Sequence, residues 1–200
     1  MRVYAESNFV LELALEQASH VACASILSIA EAGGIELALP AYALLEPLET
    51  LTRRSREWRD LALQVDAVLG QVRRTASLAK DVEGLATLTV RASKLAFEHV
   101  EDLRRRLLNV ARIVPVDQAA LLEAEKVRVE FGLEHPDAVM LGAILVDLRS
   151  HVGPSLFIDS NTKDFGDQRL KEQLAASGCT FIGHFLHALA RIEASTGSNG

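Results

Sequence analysis

SLFIDSNTKDFGDQRLKEQLAASGCTFI, residues 155–182, contains a complete strand, helix and strand in succession. Ser155–Ile158 is a short apolar run bounded by polar residues, residues 159–166 form a polar loop, and Gln168–Ala176 has the spacing of an amphipathic helix. Gly178 is a helix stop, and Cys179–Ile182 is a second short apolar run. A parallel strand pair needs a long crossover and a helix supplies it, so this unit predicts two parallel strands.

The same alternation extends toward the N-terminus. Residues 111–116 (ARIVPV) read as a strand, and Asp117 caps a helix that carries Ala119, Ala120, Leu122, Ala124 and Val127 and ends near Gly132. His135, Pro136 and Asp137 open a further helix whose apolar residues (Ala138, Val139, Leu141, Ala143, Ile144, Leu145) predict burial. At the start of the chain, residues 2–5 read as a strand. Ser7 is the expected N-cap of a helix through Leu15, and a second helix or a continuation runs to the Gly33-Gly34 stop. Residues 35–39 form another short apolar run, followed by Pro40 at a first helical position, which would put Glu46 about two turns into that helix.

From Thr52 the pattern stays helical for almost sixty residues, broken near 75–77 and weakened at Gly84, which predicts an antiparallel pair of long helices over 52–110. A last helix is expected to about Glu193, followed by a polar, flexible tail at 195–200. The expected architecture is one α/β domain over 1–194: a central parallel sheet between two helical layers, with an enlarged helical hairpin.

Composition narrows the class further. About half the residues are hydrophobic and aromatics are few, which suits helices around a modest sheet. Cys23 and Cys179 show no ligand spacing, and no apolar stretch approaches membrane-spanning length, so a soluble cytoplasmic protein is expected. The net charge is −6, but residues 51–110 carry 12 Lys/Arg against 8 Asp/Glu, a net of +4 that leaves −10 on the remainder. A basic segment on an acidic body can steer an anionic partner. Trp58, among Arg53, Arg54, Arg56 and Arg59, reads either as core or as a platform for a base. Arg104, Arg105 and Arg106 fall near a helix end, where cations suit the dipole.

In an open parallel sheet, sites form beyond the carboxyl ends of strands where the strand order reverses. Glu6 and Asp159 stand at such ends, Glu46 follows the second strand, and Asp137 lies in the first turn of its helix. With Asp164, these acids form one candidate crevice, and gathered carboxylates bind divalent cations. No Ser or Cys beside a histidine suggests a nucleophile, and no Gly-rich phosphate loop is present.

Five segments together resemble a PIN domain, the nuclease fold of VapC-type toxins and several RNA-processing enzymes. VYAESNFVLELAL is similar to the family's opening strand and turn, and ALPAYALLEPLETL to the segment bearing its helical glutamate, at Glu46. IVPVDQAALLEAEKVRVEFGLEHPDAVMLGAILVDL is the closest stretch, with the family's helix-opening acid at Asp137. FIDSNTKDFGD resembles the family's polar loop of the form Thr-x-Asn/Asp-x-x-Asp-Phe, and CTFIG its last strand. The resemblance covers roughly residues 1–50 and 111–185.

The resemblance implies a metal-dependent endoribonuclease using Mg²⁺ or Mn²⁺, with Glu6, Glu46, Asp137, Asp159 and Asp164 as catalytic and metal-holding acids and Asn161 as an orienting amide. Besides RNA, the partners it implies are an antitoxin or other protein and a second copy of the chain, without a membrane. Two positions depart from the family pattern. Glu6 stands where Asp is usual, moving the carboxylate by about 1.5 Å, one C–C bond. Asp159 stands in place of a hydroxyl residue. The alternative implied by Glu6 is a module that has lost catalysis and binds RNA or protein.

Overall fold

The computed structural model describes residues 1–72, 74, 75, 77 and 85–197, the side chains of 85, 86 and 89 aside. The strands are β1 (Arg2–Ala5), β2 (Glu36–Pro40), β3 (Arg112–Val114), β4 (Ser155–Ile158) and β5 (Cys179–Ile182). All neighbouring strands pair in parallel in one sheet of order β3-β2-β1-β4-β5. The helices are α1 (Ser7–Ala14), α2 (His20–Glu31), α3 (Glu46–Val72), α4 (Leu85–Val110), α5 (Gln118–Phe131), α6 (His135–Ser150), α7 (Thr162–Phe165), α8 (Gln168–Ala176) and α9 (Phe185–Thr196). A 3₁₀ turn, Ala41–Leu44, joins β2 to α3.

Strand side chains alternate between two cores, as the two-residue period of a strand requires. Val3, Ala5, Leu37, Leu39, Leu156 and Ile158 face one apolar cluster with residues of α1, α2, α4 and α9. Tyr4, Ala38 and Phe157 face the other, with residues of α5, α6 and α8. The protein is therefore α/β, with helices on both faces of an all-parallel sheet.

Helix α6 is buried on most of its circumference, which accounts for its apolar sequence. Gly142 lets it lie close against α5: a Cβ there would sit 2.6 Å from Ala120 O and 2.7 Å from Ala124 N. Both obstacles are backbone, so the helices would have to separate. We expect Gly142→Ala to cost about 1–3 kcal/mol in urea unfolding, the range for overpacking, and an unchanged midpoint would refute this packing.

Several local expectations need correction. Glu6, not Ser7, is the N-cap of α1. Of the two readings left open for the stretch before Gly33, the second helix is the one that forms, as α2 after α1. Pro40 ends β2 instead of opening a helix, and Glu46 is the first residue of α3, not two turns in. The loop at 159–166 contains the short helix α7. Helix α9 continues through Thr196, so the expected tail at 195–200 loses its first two residues to the helix, and 198–200 lie outside the described residues. Arg104, Arg105 and Arg106 precede the last turn of α4 and pair with Glu101, Asp102 and Glu31 instead of answering the helix dipole.

The hairpin begins at Glu46, earlier than 52, and α3 and α4 pack together antiparallel: Ser93 Oγ donates to Ser55 Oγ at 2.7 Å, while Ala62 and Asp66 share a groove with Val90 and Thr87. Of the break expected at 75–77, the flanking residues are described and Ala76 is not; Gly84 also lies outside the described residues.

At the amino ends of the strands a charged network centres on buried Asp147 and Arg2, with Glu36 and Arg112 at its exposed rim. Asp147 of α6 accepts from Arg2 Nη1 (2.7 Å), Tyr4 Oη (2.7 Å) and Arg112 Nη2 (2.9 Å), and Arg2 also donates to Glu36 at 2.9 Å. This network fixes β1, β2 and β3 against α6 at the end of the sheet opposite the acids described next.

Candidate functional site

From β1 the chain steps through β2 to β3 on one side, whereas β4 and β5 lie on the other. The order therefore reverses between β1 and β4, where a crevice opens beyond the carboxyl ends. Ala5 is in register with Ile158, so the next residues, Glu6 and Asp159, emerge abreast at that point. Both are buried, at 2% and 0% exposure.

The hydrogen bonds around the two carboxyls are unequal. Glu6 Oε1 accepts from the Asn8 backbone N–H at 3.0 Å, capping α1. Asp159 Oδ1 accepts from the Ser160 N–H at 2.6 Å and from Asn8 Nδ2 at 3.0 Å. Asp159 Oδ2, equally buried, has no donor. An unsatisfied carboxylate oxygen away from water is costly, so this atom calls for a proton or a cation.

Glu6 stands within hydrogen-bonding reach of Asp159. Burial raises the Glu6 carboxyl well above the usual range, and the charges of Asp159 and Glu46 raise it further. Burial also raises Asp159, although its bonds from Glu6, Asn8 and backbone N–H groups oppose the shift. Two adjacent buried carboxylates repel one another, so burial and that repulsion both oppose ionisation of Glu6 beside Asp159.

The other acids surround this pair. Glu46, at the start of α3, accepts a hydrogen bond from Ser7 Oγ. Asp137, in the first turn of α6, is pushed up to about 6 by burial and then by Asp164, Glu46, Asp159 and Glu134. Asp164 lies on α7, where Asn161 Nδ2 donates to its carboxylate at 2.7 Å and Asn161 Oδ1 caps the helix. Helix α7 is held by Phe165, whose ring meets Phe157 edge-on at 5.1 Å.

The fold thus brings all five sequence-derived acids to one end of the sheet, with Glu6 beside Asp159, and with Asp164, Glu46 and Asp159 all raising Asp137. It also adds two polar residues: Ser7, expected only as a helix cap, holds Glu46, and Asn8 bridges α1 to Asp159. Their signal in the sequence was position, immediately after the strand-end acid.

Among the described residues no three His, Cys, Asp or Glu side chains form a ready-made metal cage. The donor chemistry nevertheless suits a hard cation: every candidate ligand is oxygen, and Asp159 Oδ2 lacks a partner. Mg²⁺ keeps several of its waters and commonly uses only one or two carboxylates, so a full protein cage is not required. The remaining acids can then act through bound water.

No family model, curated protein or solved structure matches this chain.

Proposed function

We propose that this protein is a metal-dependent endoribonuclease of PIN type. The observation that carries the reading is the pairing of Glu6 with Asp159 across the switch point, with Asp159 Oδ2 buried and unpartnered. Their proximity supports Glu6 as a working member of the site despite its extra methylene. The segmental PIN resemblance supplies the substrate class.

Glu6 and Asp159 would hold Mg²⁺ or Mn²⁺, with Glu46, Asp137 and Asp164 holding its waters or a second ion. Bound there, the metal supplies Lewis acidity and a more acidic water for phosphodiester hydrolysis. The protein's own work is positional: Asn8 fixes Asp159, Ser7 fixes Glu46, and Asn161 fixes Asp164. Displacing such a group by about 1 Å can reduce rate about 100-fold.

The test is cleavage of a labelled single-stranded RNA by purified protein with Mn²⁺, with Mg²⁺ or with EDTA. Cleavage is expected with either metal, none in EDTA and none by Asp159→Asn. Equal cleavage in EDTA, or by that variant, would overturn the proposal.

A further inference from the structure

The acids of the candidate site repel a polyanion, so an RNA-cleaving site of this kind needs cations nearby. Helix α3 begins in the site at Glu46 and runs 27 residues away from it, about 40 Å at 1.5 Å per residue. Arg53 lies seven residues along, about 10 Å from Glu46 along the axis and close to the same helix face. Arg54 and Arg56 flank that line.

These arginines differ from most others in the chain. Arg2, Arg104, Arg105, Arg106, Arg112, Arg128, Arg149 and Arg169 are all in ion pairs. Arg53, Arg54 and Arg56 have no carboxylate within ion-pair distance among the described residues, although Glu49, Glu57 and Asp60 have helical spacing to meet them. Arg53 and Arg56 are exposed and Arg54 is half-buried. Trp58, one turn beyond Arg54, is also half-buried and belongs to neither apolar core. The half-buried indole lies one turn from Arg54 on the same side of the helix, so a base platform and a guanidinium for phosphate stand together there.

We infer that the first half of α3, through Arg53, Arg54, Arg56 and Trp58, is a docking track for single-stranded nucleic acid leading into the acidic crevice. The inference rests on the nuclease reading for its substrate, but the track needs neither metal nor turnover. Arginines bind the backbone electrostatically, and Trp58 stacks on a base without sequence preference.

The experiment measures anisotropy of a fluorescein-labelled single-stranded RNA in EDTA, with the full chain, across a KCl series. The R53A/R54A/R56A variant is expected to flatten the slope of log K against log salt by about 2, near 0.7 per lost phosphate contact. Arg105→Ala, which removes one hairpin charge already paired with Asp102, should leave the slope unchanged. Trp58→Ala should weaken binding about tenfold with the slope retained. Circular dichroism verifies that each variant is folded. An unchanged slope in the triple variant, a comparable change in Arg105→Ala, or no RNA binding by the wild type would overturn the inference. Arginine-dependent binding without metal-dependent cleavage would sink the nuclease reading and leave the track standing; cleavage with an unchanged slope would do the reverse.

Discussion

Asp137→Asn is expected to remove RNA cleavage, by at least about 100-fold in kcat, and at the same time to make the metal-free protein more stable. The two effects have one cause. The Asp137 carboxyl is raised to about 6, first by burial and then by Asp164, Glu46, Asp159 and Glu134, so its ionised form is unfavourable in the folded protein. Raising the carboxyl that far corresponds to about 3 kcal/mol, but Asp137 is only about half buried and solvent screening reduces this to about 1–2 kcal/mol. Loss of an acidic group from the first turn of α6 offsets part of the gain, leaving about 1 kcal/mol and a rise of about 2–4 °C in Tm.

The pH dependence has a definite sign. The folded protein binds the Asp137 proton more tightly than the unfolded chain, so stability falls as pH rises through the window from about 4 to about 6. Below that window both states are protonated and the penalty is absent; above it the penalty is complete. Thermal melts in EDTA should show this decline in the wild type and a shallower one in Asp137→Asn. Greater instability of the variant at pH 7, with the fold otherwise intact, would contradict a repulsive acidic centre.

The second large effect lies at the other end of the sheet. Asp147→Ala is expected to destabilise the protein by about 3–5 kcal/mol, because it leaves Arg2 and the Tyr4 hydroxyl buried without their shared acceptor. For a chain of this size that is about 10 °C in Tm. Burial alone would raise the Asp147 carboxyl, but hydrogen bonds from Arg112 and Tyr4 and the charges of Arg112 and Arg2 hold it below its ordinary value. Its contribution is therefore present above the unfolded carboxyl value, about 4, and lost as pH falls through the folded one. Urea unfolding at pH 7 and at low pH measures both terms. A loss below about 1 kcal/mol at pH 7 would show that Arg2 keeps its stabilisation through Glu36 alone.

The two carboxylates show what a sequence exposes and what it hides. Asp137 follows Pro136 at the start of an apolar helix, so its place in a helical first turn is legible from neighbours. Asp147 looks like an ordinary polar interruption of that helix; its partners Arg2 and Tyr4 are 145 and 143 positions away, and only the folded sheet brings them together. Strands were legible where apolar runs were bounded by turn residues: β4, α8 and β5 fall within the boundaries read from the sequence.

Capping was harder to read because tertiary contacts redirected it. Ser7 has the better intrinsic capping side chain, but its hydroxyl bonds Glu46, and Glu6 caps α1 instead. The α3 start was missed although Glu46 and Pro47 are a suitable acid and proline for a first helical turn. Helix α7 is only one turn long, too short for periodicity to reveal, and its visible signal was the Asn161 cap. Sequence placed Glu6 and Asp159 at strand ends, but the Ala5↔Ile158 register and the unpartnered Asp159 oxygen required the fold.

We propose that the acids gathered across this switch point hold a divalent cation. Calorimetric titration of Mn²⁺ into the metal-free wild type and into Asp159→Asn tests it most directly. Saturable binding to the wild type and its loss in the folded variant are expected; no binding to the wild type, or undiminished binding to Asp159→Asn, would rule out a cation held by these acids.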